Sequence, residues 1–63
     1  MLTKDELKVK LTKYKSIVYA DQRISIKTAE RYAEETMYQA MNGDMSSIDL
    51  IKKIQNNEIE WLK

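Results

Sequence analysis

Three basic residues recur at intervals of four around the stretch RISIKTAERY: Arg23, Lys27 and Arg31. Side chains four apart share one face of a helix, so these cations could meet phosphates or base edges together. Three carboxylates lie within or just after this stretch and would repel phosphates: Glu30, Glu34 and Glu35. The pattern therefore permits nucleic-acid binding, and it also fits an ordinary solvated surface.

The chain contains no histidine and no cysteine. The commonest general base and the best thiol nucleophile are missing, so we predict that the protein is not an enzyme. Glu30 and Glu34 are neighbours on a predicted helix, but an acid–base pair of carboxylates needs burial to perturb its pKa values. We expect both carboxylates to lie in solvent. Disulfides and zinc sites built from thiolates or imidazoles are excluded as well.

The segment NGDMSSIDLIKK begins like a calcium-binding loop, with Asn42, Asp44 and Ser46 at alternating positions. An EF-hand needs a glycine at the sixth position and a bidentate glutamate at the twelfth. Ser47 and Lys53 stand at those two positions. We therefore predict no metal site, and the lack of a glycine-rich phosphate loop predicts no nucleotide cofactor.

The stretch ISIKTAERY locally resembles the turn and recognition helix of helix-turn-helix proteins. The positions that carry the resemblance are Ile24, Ser25, Thr28, Ala29, Arg31 and Tyr32. The resemblance implies a DNA-binding regulator in which Lys27 and Arg31 contact DNA. Two positions depart from the pattern, because Tyr19 replaces a small residue and Arg23 replaces the glycine of the turn. Alternatively, Ser25 is a helix N-cap and Ala29 a packing residue, with no role in DNA binding.

Apolar residues recur with helical spacing, whereas one glycine and no proline leave few hairpin signals. We predict an all-α fold, a single domain over residues 1–63 with helices at 4–20, 26–42 and 47–62. Thr3 and Glu6 have the spacing of a capping box for the first helix. Ser25 is the predicted N-cap of the second helix, and Gly43 is expected just beyond its end. Ser46 with Asp49 forms a variant capping box for the third helix.

The apolar residues of the predicted third helix fall into two seams. One seam contains Leu50, Ile54 and Trp61, and the other contains Ile48, Ile51, Ile59 and Leu62. Together they cover about half of the circumference, which is wider than the ~100° stripe of an ordinary surface helix. We predict that the second seam, with Trp61 near it and Tyr38 on the second helix, meets a partner or a second copy. The alternative is that the third helix is simply the most buried of the three.

A chain of 63 residues buries a small fraction of its surface, so self-association would help to stabilise it. We expect a three-helix bundle that is completed by a homodimer, since two-fold dimers are the commonest oligomers. Charge is unevenly distributed along the sequence. Residues 1–27 carry seven basic and three acidic residues (net +4), and residues 28–63 carry four basic and seven acidic residues (net −3). Such asymmetry permits head-to-tail pairing or contact with a negative partner.

No apolar run approaches the ~18 residues needed to cross a bilayer, and no signal-peptide pattern is present. These features predict a cytoplasmic protein with no membrane partner, and the composition suggests a phage or mobile-element origin. The function that we favour is a non-enzymatic small regulator that binds a macromolecule, in the first place a protein, through an apolar helical face. The alternative is a DNA-binding regulator that uses residues 23–35.

Overall fold

A computed structural model describes residues 1–62 of the chain. These residues form three packed α-helices and no strand: α1 Lys4–Val18, α2 Ile26–Met41 and α3 Met45–Gln55. Two short 3₁₀ turns, Ala20–Gln22 and Glu60–Leu62, complete the fold. The prediction of an all-α three-helix fold is confirmed. Within residues 1–62, no helix has the length and apolarity that a membrane span requires.

The start of α1 is fixed by the capping box that the sequence predicts. The Thr3 amide donates to Glu6 Oε1 at 2.9 Å, and the Glu6 amide donates to Thr3 Oγ1 at 3.2 Å. The residue before the box also contacts α3, because the Leu2 amide donates a hydrogen bond to Gln55 Oε1 at 2.8 Å. The box therefore begins α1, and the hydrogen bond from Leu2 holds that start against the end of α3.

The second helix starts and ends where the sequence indicates. Ser25 Oγ accepts a hydrogen bond from the Thr28 amide at 3.1 Å, which makes Ser25 the N-cap of α2. Beyond the helix, Gly43 adopts a φ of +89°, a conformation that suits glycine. Ala29 and Ala33 are fully buried. Their small side chains allow the neighbouring parts of the fold to approach α2 closely.

The third helix is shorter than predicted, and it begins earlier. Its N-cap is Asp44 rather than Ser46, because Asp44 Oδ2 accepts from the Ser47 amide at 3.0 Å. We predicted one helix over residues 47–62, but α3 ends at Gln55. The chain turns at Asn57, whose φ is +55°, a left-handed conformation that asparagine tolerates better than most residues.

Backbone hydrogen bonds close α3 at this turn. The Glu58 amide donates to the Lys53 carbonyl at 2.9 Å, and the Asn57 amide donates to the Ile54 carbonyl at 3.2 Å. This is the pairing of a Schellman motif, which ends a helix and satisfies its last carbonyls. Residues 56–62, which we call the closing segment, therefore run back toward α1 instead of continuing the helix.

The closing segment supplies part of the core. The buried cluster contains Leu7, Leu11, Ala33, Ile54 and Leu62. Leu62 is only 4% exposed, and the neighbouring Trp61 ring stacks on Tyr14 with centroids 5.4 Å apart. Lys10 Nζ also donates to the Leu62 carbonyl at 3.4 Å. The two apolar seams of a long third helix therefore do not exist as predicted, because Ile59, Trp61 and Leu62 leave the axis of α3.

Candidate functional site

The residues predicted to form an apolar interface are divided between the core and two separate surfaces. Leu62 is buried, and Ile51 and Ile59 are partly buried against the core cluster. Ile48 is also partly buried. A seam formed by these four residues therefore does not stand open to a partner in this structure.

The other two predicted interface residues are exposed, but they lie in different places. Tyr38 is 69% exposed and lines a groove between the start of α1 and the end of α2. Trp61 is 49% exposed and lines a different groove, against the second half of α1. The structure thus separates Tyr38 from Trp61 and provides two concave surfaces instead of one.

The first surface is formed by α1, α2 and α3 together and is largely apolar. Two adjoining grooves of about 390 Å³ and 410 Å³ share Lys4, Met37 and Met41 in their walls. We call their apolar lining the methionine surface; it consists of Leu7, Met37, Tyr38, Ala40, Met41 and Ile51. Met41 is 83% exposed, so its side chain is held by few neighbours and is free to pack against another molecule.

An ion pair crosses the rim of the methionine surface and joins α1 to α2. Lys8 Nζ lies 2.7 Å from Glu34 Oε1, and both side chains are open to solvent. The hydrogen bond from Lys8 lowers the pKa of Glu34, and the same bond raises the pKa of Lys8. The pair is nearly neutral as a unit, so the rim at this point does not select strongly for the charge of a partner.

Neither Met37 nor Met41 was singled out in the sequence analysis. The available signal was the row of Met37, Tyr38 and Met41, which places three large side chains within about one helical turn. That row could not be recognised as an open surface from the sequence, because α1 and α3 decide which part of α2 is covered. Tyr38 was the one residue of this row that the sequence analysis named as an interface residue, and it is exposed.

The three basic residues Arg23, Lys27 and Arg31 do not share one helix face. Arg23 precedes α2 and has a φ of +53°, while Lys27 and Arg31 are exposed one turn apart on α2. The side chains of all three residues are free of hydrogen bonds and ion pairs with residues 1–62. Ser25 caps the helix and Ala29 is buried, so both residues have the structural roles that the alternative interpretation gives them.

The second concave surface is an aromatic groove of about 590 Å³ between α1, α2, α3 and the closing segment. Tyr14, Tyr19 and Trp61 form its aromatic part. Lys15 Nζ lies 5.9 Å from the ring centroids of both Tyr14 and Tyr19. Partial burial lowers the pKa of Lys15, against a weaker opposing influence of Glu35. We call this surface the aromatic groove.

The described residues contain no cluster of three acidic, histidine or cysteine side chains that could hold a metal ion. No protein-family model, no curated protein and no solved structure matches the chain. The candidate sites are therefore the methionine surface and the aromatic groove, together with the basic pair Lys27 and Arg31.

Proposed function

We propose that this protein is a non-enzymatic small regulator that binds another protein through the methionine surface. The observation that carries the proposal is the combination of Tyr38 and Met41, two strongly exposed large side chains, with an apolar floor. Leu7 and Ile51 contribute that floor from α1 and α3. Large exposed apolar side chains that adjoin one another are typical of interaction sites rather than of scattered surface residues.

The partner element that fits this surface is an amphipathic helix. The groove follows α2 from Glu34 to Met41, which is about 10 Å at 1.5 Å per residue, or two helical turns. Its walls are two helices that run in opposite directions, so a third helix laid between them would make the packing of a helical bundle. Methionine side chains adapt their shape to such a stripe because they are unbranched and flexible.

The test compares capture of partners by the wild-type chain, by a Met41→Glu variant and by a Met45→Glu variant. Met45 is 75% exposed on α3 and lies outside both grooves, so its variant is a matched control. We expect the same protein to be captured by the wild type and by Met45→Glu, and to be lost with Met41→Glu. Binding of the purified partner should persist in high salt and show a negative heat-capacity change, since apolar surface is buried.

A partner whose capture does not distinguish Met41→Glu from Met45→Glu would contradict the use of this surface. Both variants must keep the helical circular dichroism of the wild type for the comparison to hold.

A second copy of the chain is the competing occupant, and our expectation of a homodimer now rests on this surface. Sedimentation at several concentrations decides it, because a dimer that Met41→Glu dissociates would identify the second copy as the partner. We expect the protein to act in the cytoplasm.

A second candidate function is DNA binding, and the exposure of Lys27 and Arg31 favours it. Both side chains are free of intramolecular partners within residues 1–62 and lie one turn apart. The carboxylate of Glu35 is exposed on the same helix and opposes binding to phosphates. DNA binding therefore ranks second to protein binding.

The test of the second candidate is the salt dependence of duplex binding. A variant with Lys27→Gln and Arg31→Gln should lower the slope of log affinity against log salt by about two, since each contact contributes about one. Lys13→Gln, an exposed change on α1, is the control that should leave the slope unchanged. Failure of the wild type to shift a duplex at low salt would remove this candidate.

A further inference from the structure

Lys15 is a partly buried cation that forms no ion pair with residues 1–62 and is affected by Glu35 only through a weaker charge interaction. Its side chain lies between two tyrosine rings, and neither Asp nor Glu comes within ion-pair distance in residues 1–62. The two tyrosines stabilise an ammonium group through their ring faces, but less than a carboxylate would. A cation in this setting therefore has an unused capacity to bind an anion.

The other charged residues of the aromatic groove are already satisfied. Lys53 Nζ lies 3.3 Å from Asp49 Oδ2, which is an ion pair one turn apart on α3. The Asp44 carboxylate accepts from the Ser47 amide and from Ser46 Oγ at the start of that helix. The four charged residues of the lining therefore sum to zero, and Lys15 is the cation among them that forms no ion pair. A single carboxylate adds less negative charge beside Asp44 and Asp49 than a doubly charged phosphate would.

The same groove offers a flat apolar wall. Trp61 stacks on Tyr14 with an interplanar angle of 16°, and the Trp61 side chain is still 49% exposed. Tyr14 also lies against Lys15, so one ring separates the open indole from the cation. Aromatic rings pack well on such a surface in offset or edge-to-face geometry. The groove volume of about 590 Å³ is within the range of small-molecule sites.

We propose that the aromatic groove binds an aromatic carboxylate, with the carboxylate on Lys15 and the ring against Trp61. The same chemistry is found in a free aromatic acid and in a polypeptide segment that carries an aromatic residue beside an acidic one. This site is separate from the methionine surface, because the two share no lining residue. A failure of the proposed protein-binding function would therefore leave the proposal for the aromatic groove unaffected, and the reverse also holds.

The experiment titrates the full chain with three probes and follows the fluorescence of Trp61, its single tryptophan. The probes are N-acetyl-phenylalanine, its neutral amide, and a blocked Gly-Asp-Phe-Gly tetrapeptide, none of which contains tryptophan. We expect a saturable change with the free acid and about tenfold weaker binding of the amide, because a charged hydrogen bond is lost. Tighter binding of the tetrapeptide than of the free acid would identify a polypeptide as the source of the ligand.

Variants of two lysines complete the test. Lys15→Gln should remove the preference for the acid over the amide, whereas Lys53→Gln should retain it, since Lys53 is paired with Asp49. Circular dichroism should show that both variants keep the wild-type fold. Equal affinity for acid and amide, or a preference that survives Lys15→Gln, would overturn the proposal. The absence of any saturable change with all three probes would overturn it as well.

Discussion

Replacement of Leu11 by alanine tests the centre of the fold most directly. Leu11 is fully buried and is the largest side chain in that condition among residues 1–62. A leucine-to-alanine change at such a site removes transfer free energy and leaves a cavity, which together lower the free energy of unfolding by about 2–5 kcal/mol. Domains of this size rarely exceed about 3–5 kcal/mol of total stability. The substitution is therefore expected to remove a large part of the total stability.

The assay is urea unfolding at 25 °C, followed by far-ultraviolet circular dichroism and by the fluorescence of Trp61. With an m-value of about 1 kcal/mol per molar, a loss of about 3 kcal/mol lowers the unfolding midpoint by about 3 M. The control is Val9→Ala on the same helix, because Val9 is 69% exposed. That change should alter the stability by less than about 0.5 kcal/mol.

A loss of less than about 1 kcal/mol for Leu11→Ala would refute the assignment of Leu11 to the core, since it falls below the range for buried leucines. Equal losses for Leu11→Ala and Val9→Ala would refute it too. Either outcome would mean that α1 presents a different face to α2 and α3, and the positions of both grooves would have to be reassigned.

Three further predictions concern the turns and the closing segment. Leu62→Ala should lower the free energy of unfolding by about 2–4 kcal/mol, and a change below about 0.5 kcal/mol in urea unfolding would contradict its burial. Gly43→Ala should lower it by about 1 kcal/mol because of the φ of +89°, and Gly43→Asn should lower it less. Hydrogen bonds from Ser47 and Ser46 lower the pKa of Asp44. This stabilisation is complete above the ordinary value of 3.8 and is lost as the pH falls through the lower folded pKa, so Asp44→Asn should weaken the acid-induced loss of helix in circular dichroism.

The starts of the helices could be predicted because capping is local. Thr3 and Glu6 reveal the start of α1 by their spacing, and Ser25 reveals that of α2. Gly43 likewise predicted the end of α2, where its amide donates to the Ala40 carbonyl at 3.1 Å. These signals depend on neighbours within a few residues, so no knowledge of the rest of the fold was needed.

The end of α3 could not be predicted from helical spacing, because residues 56–62 continue the apolar period of the helix. The pair Asn56–Asn57 was the available local signal, since asparagine accepts the left-handed conformation that ends a helix. The end of α3 is determined by tertiary contacts, because the turn allows Leu62 to enter the core and Trp61 to stack on Tyr14.

The candidate sites were harder to predict than the helices. An exposed side chain is recognised only when the coverage of every helix is known, so the row that contains Met41 could not be identified as an open surface, and Lys15 has no distinguishing sequence pattern. The basic residues were easy to find, because charge and spacing are visible in the sequence. Their geometry was not visible, since the left-handed backbone at Arg23 removes it from the row of Lys27 and Arg31.

The return of the closing segment to α1 has a consequence for incomplete forms of the chain. A nascent chain that has reached Gln55 already contains the sequences of α1, α2 and α3, yet it lacks the side chain of Leu62 that fills their common interior. A chain truncated after Gln55 would leave this apolar interior open to solvent, and we expect it to be cut by proteases faster than the chain that includes residues 56–62.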